Sequence, residues 1–413
     1  MLRHVVTRYP ALAYPLYRRY WFASFASVGA TQLVTLGQGW LVFELSGSAL
    51  DLGLLGAAAS VPNIVVSLLG GALADRFDKR RILLVSSLLT AALLGLLAVL
   101  DATGRAAVWH VLTVAGLVSV ITGIEWPTRQ ALFPHLIRRD GLLSAVALNS
   151  FIWQATRMMI PAGGGVLIAL SDTWFVFALA AWGYVTMYLV MLTIRVPLPR
   201  NRVGSTVQQV VEGVRFIAGH ELFRWLILLS YTGMFFGNAY MQLMPAFAGL
   251  LAVDETGYGL LLSATGVGSV VGTLAVGAFQ HTRHVGLVLL GGALTSALCL
   301  YGFAAAVTLE LYAAALLAVF CVAAASSVFM VMSMTVLQLA VPDALRGRVM
   351  GIHTITYSLM PLGGLFLGAF AERVSAVAGV MLGASAFFAI TLGVALGRRA
   401  IRDIDSSALD ARA

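Results

Sequence analysis

Arg157 and Glu125 are charged residues set inside long apolar runs, and the chemistry of this sequence starts there. Arg157 lies about 13 residues from the outer end of its run, roughly 20 Å at helical rise, which is near the middle of a hydrocarbon layer. A charge at that depth costs at least about 2.5 kcal/mol on insertion scales, so it must face other helices and find a partner. No acid lies at the same depth. Glu125, in the preceding run, is about 9 Å nearer the inner face by helical rise, a gap two long side chains can bridge. The pair reads either as a fixed ion pair or carbonyl clamp between two helices, or as an element that binds an anion or couples to protons. Arginine does not titrate, so in a coupling role Glu125 carries the proton.

A second group of charges fills the turn Gly70-Gly71-Ala-Leu-Ala-Asp75-Arg76-Phe-Asp78-Lys79-Arg80-Arg81. Four basic groups and two acids cannot lie in hydrocarbon. The flanking runs, about 20 residues each, are long enough to cross it. Asp75 at a helix end can accept hydrogen bonds from the start of a neighbouring helix, whose positive end favours a carboxylate. The plain alternative is a solvated helix terminus. Arg76, Lys79, Arg80 and Arg81 serve topology and lipid contact as readily as gating.

These residues must be carried by membrane-spanning helices. The chain has 413 residues, 60% hydrophobic and 11% charged, with mean hydropathy +0.92. Soluble domains carry about 25% charged residues. The apolar runs are twice as long as the roughly ten-residue alternating segments of a β-barrel, and unbroken. The formal charge of +8 lies in short turns between runs, which argues against nucleic acid as partner. Cys299 and Cys321 stand alone within apolar runs, so neither a disulfide framework nor a metal site is expected, and no motif calls for a cofactor. The first run, after Arg3, Arg8, Arg18 and Arg19, has no small-residue cleavage site and reads as a retained span.

The pattern predicts an all-α polytopic protein with twelve spans, near 21–44, 50–74, 81–101, 106–127, 145–170, 174–194, 222–248, 257–279, 285–305, 309–338, 349–371 and 376–397. With the first residues inside, nearly all of the 26 basic residues fall in inner segments, which puts both termini in the cytoplasm and the protein in the cell inner membrane. The expected organisation is a six-helix bundle over 1–195, a linker over 196–221 and a second bundle with a short tail over 222–413. Within the linker, Val207, Val210, Val211, Val214 and Ile217 have the spacing of an amphipathic helix on a membrane surface. The halves echo one another: Gln130 and Pro134 with Gln338 and Pro342, Gly71-Ala72 with Gly277-Ala278, and Pro161-Ala-Gly-Gly164 with Pro361-Leu-Gly-Gly364. Internal repeats are how many transporters are built.

Gly71, Leu73, Ala74, Asp75, Arg76, Lys79, Arg80 and Arg81 resemble the helix 2–3 loop motif of the major facilitator superfamily. Pro127-Thr-Arg-Gln-Ala131 through Pro134, Ser144-Ala145, Leu148-Asn149 and Pro342-Asp343 with Arg346-Gly-Arg348-Val-Met350 are similar to its branch of enterobactin-exporter-like and macrolide-efflux-like permeases. Asp78 stands where the loop motif has Gly. Pro161, Gly164 and Gly165 resemble the helix 5 antiporter motif, with Ile160 in place of a Gly. Helix 4, read as ending at 127, lacks the embedded Arg of drug:proton antiporters. The second loop motif has decayed to Gln280-His-Thr-Arg-His284.

The resemblance implies two pseudo-symmetric six-helix bundles working by alternating access, sufficient as a monomer, with proton-driven export of a small molecule. It implies that Asp75 latches onto the start of helix 11 near Arg348. It also implies that helices 1, 4, 7 and 10 line the cavity. On those helices Gln38, Tyr231, Phe235, Asn238, Gln242, Met330 and Ser333 are the substrate-cavity candidates, a set suited to a large amphipathic ligand. Tyr231, Phe235, Asn238 and Gln242 are spaced 4, 3 and 4, hence on one helical face. Packing between helices is the competing role. In another class, a lipid flippase-type protein or a polytopic membrane enzyme remains the alternative. No Walker A sequence and no His-Glu-x-x-His occurs.

Overall fold

Apolar segments of this length can satisfy their backbones in a bilayer as helices. The computed structural model is helical throughout, with no strand among the described residues. It describes residues 10–76, 78–138, 141–194, 206–279 and 284–404, without the side chains of 67–76, 206–210, 343–344 and 347. Nine helices among the described residues are long and apolar enough to cross a membrane. The first and fifth expected spans are helices of 32 and 30 residues that carry more polar side chains, and the seventh is not a single helix.

The chain divides into two compact units, Met1–Ser46 with Ala58–Gly204, and Gly47–Ala57 with Ser205–Ala413. In the first unit, α1 (Pro15–Ser46) is followed by α2 (Ala49–Arg76), α3 (Lys79–Ala102), α4 (Val108–Leu132), α5 (Leu142–Ser171) and α6 (Thr173–Thr193). The opening residues of α2 belong to the second unit. α1 packs on α5 and α6, and α3 on α4 and α6. Two side chains tie α1 to the backbone of α5: the Tyr17 hydroxyl donates to the Ala145 carbonyl at 3.0 Å and the Trp21 indole to that of Leu148 at 3.1 Å.

In the second unit come the amphipathic α7 (Thr206–Gly219), α8 (Glu221–Thr232), α9 (Met244–Leu250), α10 (Glu255–Ala278), α11 (Val285–Thr308) and α12 (Tyr312–Ala340). They are followed by α13 (Asp343–Thr354), α14 (Thr356–Arg373), α15 (Ala376–Gly397) and the short α16 (Arg399–Arg402). Between α8 and α9 the chain forms a π-helical turn, Gly233–Gly237, then a 3-10 turn, Ala239–Leu243. The expected continuous span over 222–248 is therefore broken in its middle. Glycines permit the break: a Cβ on Gly233 or Gly237 would press on the Phe387 ring.

The repeated Pro-x-Gly-Gly segments do the same job in each unit. A Cβ on Gly164 of α5 would meet the Leu36 side chain of α1 at 2.5 Å. On Gly364 of α14 it would meet Gln242 of the 3-10 turn at 2.6 Å. In both, a glycine after an intrahelical proline lets another helix of the same unit approach closely.

Candidate functional site

α4 does not stop at Pro127. The proline lies inside the helix, which runs on to Leu132 and brings Arg129 into line one turn after Glu125. Arg129 donates from Nε to Glu125 Oε1 at 2.7 Å, and its Nη2 lies 2.5 Å from the same oxygen. Its Nη1 donates to Ser27 Oγ of α1 at 3.0 Å. Ser27 in turn donates to the Ser24 carbonyl at 3.2 Å. One turn further, the Thr31 hydroxyl meets the Tyr184 hydroxyl of α6 at 3.0 Å. Polar contacts thus join α4 to α1 and α1 to α6.

The pair is deeply buried: Glu125 is 3% exposed and the Arg129 side chain 11%. Glu125 Oε2 has no hydrogen-bond partner among the described residues. Such an oxygen is satisfied by a buried water, by a bound proton or by a donor on a ligand. Beside Arg129 a narrow cleft is walled by Tyr20, Ser24, Trp126, Gln130, Asn149 and Trp153. The two indoles meet edge to face, with centroids 5.2 Å apart.

This corrects two expectations. Helix 4 does carry a buried arginine, Arg129, and the guanidinium bonded to Glu125 is Arg129. With Pro127 as the helix end, Arg129 falls in a turn and Glu125 pairs with Arg157; with the proline inside the helix, Arg129 lies one turn after Glu125. The i,i+4 order Glu125…Arg129, acid first, was the available signal. Arg157 is half-buried on α5.

Gly71, Asp75 and Arg76 fall in α2 where side chains lie outside the description. Beyond them the turn is well defined. Asp78, the departure from the motif, caps α3, its carboxylate accepting from the backbone N–H of Arg80 at 2.9 Å and of Arg81 at 3.4 Å. Arg80 reaches the end of α6, donating to the Met191 and Leu192 carbonyls at 3.0 and 2.9 Å. Lys79 is buried and Arg81 exposed. Arg346 is exposed, whereas Arg348 bonds Glu212 of α7. Ile352 and Arg348 pack against Gly213, so α7 rests on α13 by one face while Val211 and Val214 stay exposed.

The cavity candidates of the second unit are half-buried, apart from buried Ser333, and each makes a contact within that unit. With the helix broken, Tyr231, Phe235, Asn238 and Gln242 do not share a regular helical face. The Tyr231 hydroxyl donates to the Ile352 carbonyl at 2.9 Å. Phe235 lies 5.9 Å from the Phe366 ring. Asn238 donates from Nδ2 to the Gly233 carbonyl and to Ser326 Oγ, both at 3.1 Å. Gln242 donates to the Leu52 carbonyl at 3.2 Å. Buried Ser333 meets Ser230 at 3.0 Å, and Met330 packs on the apolar core. Gln38 of α1 differs: it is 6% exposed and its Nε2 has no partner among the described residues. Of the helix 5 motif, Pro161, Gly164 and Gly165 are all buried. Among the described residues no three His, Cys, Asp or Glu side chains gather as for a metal ion.

The family model described as transmembrane secretion effector matches residues 6–413. The chain belongs to this family of the major facilitator superfamily. Among its relatives, the enterobactin exporter EntS of Escherichia coli is 24% identical over 388 residues, covering 93% of this chain and 91% of the relative. The staphyloferrin A transporter of Staphylococcus aureus is 23% identical over 346 residues, covering 82% and 85%. Among solved structures, the nucleoside transporter NupG aligns with a TM-score of 0.74 at 13% identity, covering 92% of this chain and 98% of that one. A bacterial homologue of the human lysosomal transporter Spinster aligns with 0.70 at 15%, covering 94% and 97%. These secretion-effector relatives are transporters, and this protein is a multi-span membrane transporter of small molecules, not an enzyme.

Proposed function

We propose that this transporter is a secondary active exporter of a small amphipathic molecule, working by alternating access of two six-helix bundles and driven by proton antiport. The observation that carries the coupling is the buried Glu125–Arg129 pair with its unpartnered Oε2. A carboxylate clamped on one oxygen and free on the other can take up a proton while Arg129 keeps its own bond to Ser27. Neutralised, it weakens its hold on Arg129, leaving the guanidinium for an acidic group of the cargo. Gln38, buried with a free amide donor, is a second contact for cargo.

The named cargoes of the relatives, enterobactin and staphyloferrin A, favour a siderophore-like molecule. In this reading both termini are cytoplasmic in the inner membrane and a monomer suffices. Gly71, Asp75, Arg76, Lys79, Arg80 and Arg81 are the gating residues of this reading. Everted membrane vesicles test the class. Energised vesicles containing the protein should accumulate an added siderophore above protein-free vesicles. Accumulation no greater than in protein-free vesicles, for every member of a chemically diverse set of amphiphiles, would refute export.

A further inference from the structure

At the end of the second unit where α8 begins and α15 finishes, four arginines gather: Arg224, Arg398, Arg399 and Arg402. α16 packs on α8, and the Gly286 N–H donates to the Ile404 carbonyl at 3.3 Å, fixing the chain after α15 to the start of α11. Trp225 is the centre of the group. The Arg398 guanidinium carbon lies 4.7 Å from its ring centroid and that of Arg224 lies 5.9 Å from it.

Two like charges therefore share one indole, and little offsets them. Glu221 reaches Arg398 only at 3.6 Å, with both side chains nearly half exposed. Arg402 turns to its neighbour Asp403 at 3.2 Å. Arg399 is exposed and has no ion pair among the described residues. Among the described residues, four cations face two carboxylates, which leaves a net positive site. The Trp225 indole N–H, beneath it, has no acceptor among the described residues. Unsatisfied buried donors are costly, so this one is itself a sign of a missing acceptor. Leu228 and Leu396, one turn or less away, are exposed.

We propose that this cluster binds a phosphate-ester anion, with Arg224 and Arg398 as the charged clamp over Trp225. Guanidinium forks match phosphate oxygens two at a time, and tryptophan is favoured at the level of lipid headgroups. The exposed leucines give acyl chains a surface, which makes the headgroup of an anionic phospholipid the natural source; a free phosphate offers the same anion without that surface.

Native mass spectrometry of the full chain in neutral detergent tests the site, with phosphatidylglycerol and phosphatidylcholine added separately. Wild type should retain phosphatidylglycerol over phosphatidylcholine, and R224Q/R398Q should lose about thirtyfold in that retention, at the usual worth of a basic residue near an anionic surface. The double variant R105Q/R373Q removes two exposed arginines elsewhere and should bind as wild type. Sodium phosphate at constant ionic strength supplies the second arm. A rise in unfolding temperature with phosphate, absent in R224Q/R398Q and unmatched by the lipid, assigns the site to a soluble phosphate. Equal retention of phosphatidylglycerol by wild type and R224Q/R398Q, with no response to phosphate, overturns the proposal. Should R224Q/R398Q not fold, R399Q gives the same reading at about fivefold, and an unchanged R399Q overturns it.

Discussion

The Arg129 guanidinium holds one oxygen of Glu125 through both Nε and Nη2 and donates from Nη1 to Ser27, so that a single side chain both neutralises α4's acid and ties α4 to α1. Removing it leaves a carboxylate that is 3% exposed without counter-charge. Arg129→Gln should lose about 3–5 kcal/mol of stability, and the double variant E125Q/R129Q should recover much of that loss. Thermal unfolding in detergent measures both. R129Q as stable as wild type would contradict the pair as a structural tie.

Asp78 separates two explanations of the loop motif. As the cap of α3 it is worth about 1 kcal/mol, so Asp78→Ala should lower stability by that amount. Asp78→Gly, which restores the residue usual in the motif, should cost only about a few tenths, because glycine is tolerated at that position. Unfolding curves in which the two variants are equally destabilised would reject the capping role.

The glycine contacts predict a graded series. Gly364→Ala places a methyl group against Gln242 Cβ and should cost about 1–3 kcal/mol, while Gly164→Ala meets only the Cδ2 ends of Leu36 and Leu33 and should cost about 1 kcal/mol. Gly163→Ala, with nothing within 4 Å of its Cβ, should leave unfolding temperature and flux unchanged. Equal effects at 163 and 164 would dismiss the close approach of α1 and α5 as the reason for glycine.

Asn238→Ala should act on stability rather than on cargo affinity. The side chain bonds Gly233 and Ser326 across the broken helix, and polar ties between membrane helices are worth about 0.6–2 kcal/mol. An apparent affinity for cargo that falls while unfolding temperature holds would return Asn238 to the binding surface.

Particular residues explain what could be read in advance. Helical class and membrane character followed from run length alone, because a bilayer leaves a long apolar segment few options. The paired Pro-x-Gly-Gly segments were visible as a repeat, and their packing bears the same relation to each unit. Arg129 was missed because proline is a strong helix breaker in water but is tolerated within membrane helices, where neighbours satisfy the freed backbone. The segment carrying the stripe on 231–242 differs from the expected continuous helix. A 4, 3, 4 spacing defines a face only on a continuous helix, and the π and 3-10 turns rotate it apart. That break was written in Gly233 and Gly237, whose close contact with Phe387 has no signature in local spacing.

The most direct test of proton coupling at Glu125 is flux in sealed vesicles with an imposed ΔpH, comparing wild type with Glu125→Gln. Wild type should drive cargo against its gradient and release protons in proportion, while E125Q should equilibrate cargo down its gradient and ignore ΔpH. Uphill, ΔpH-driven accumulation by a folded E125Q protein would contradict the account.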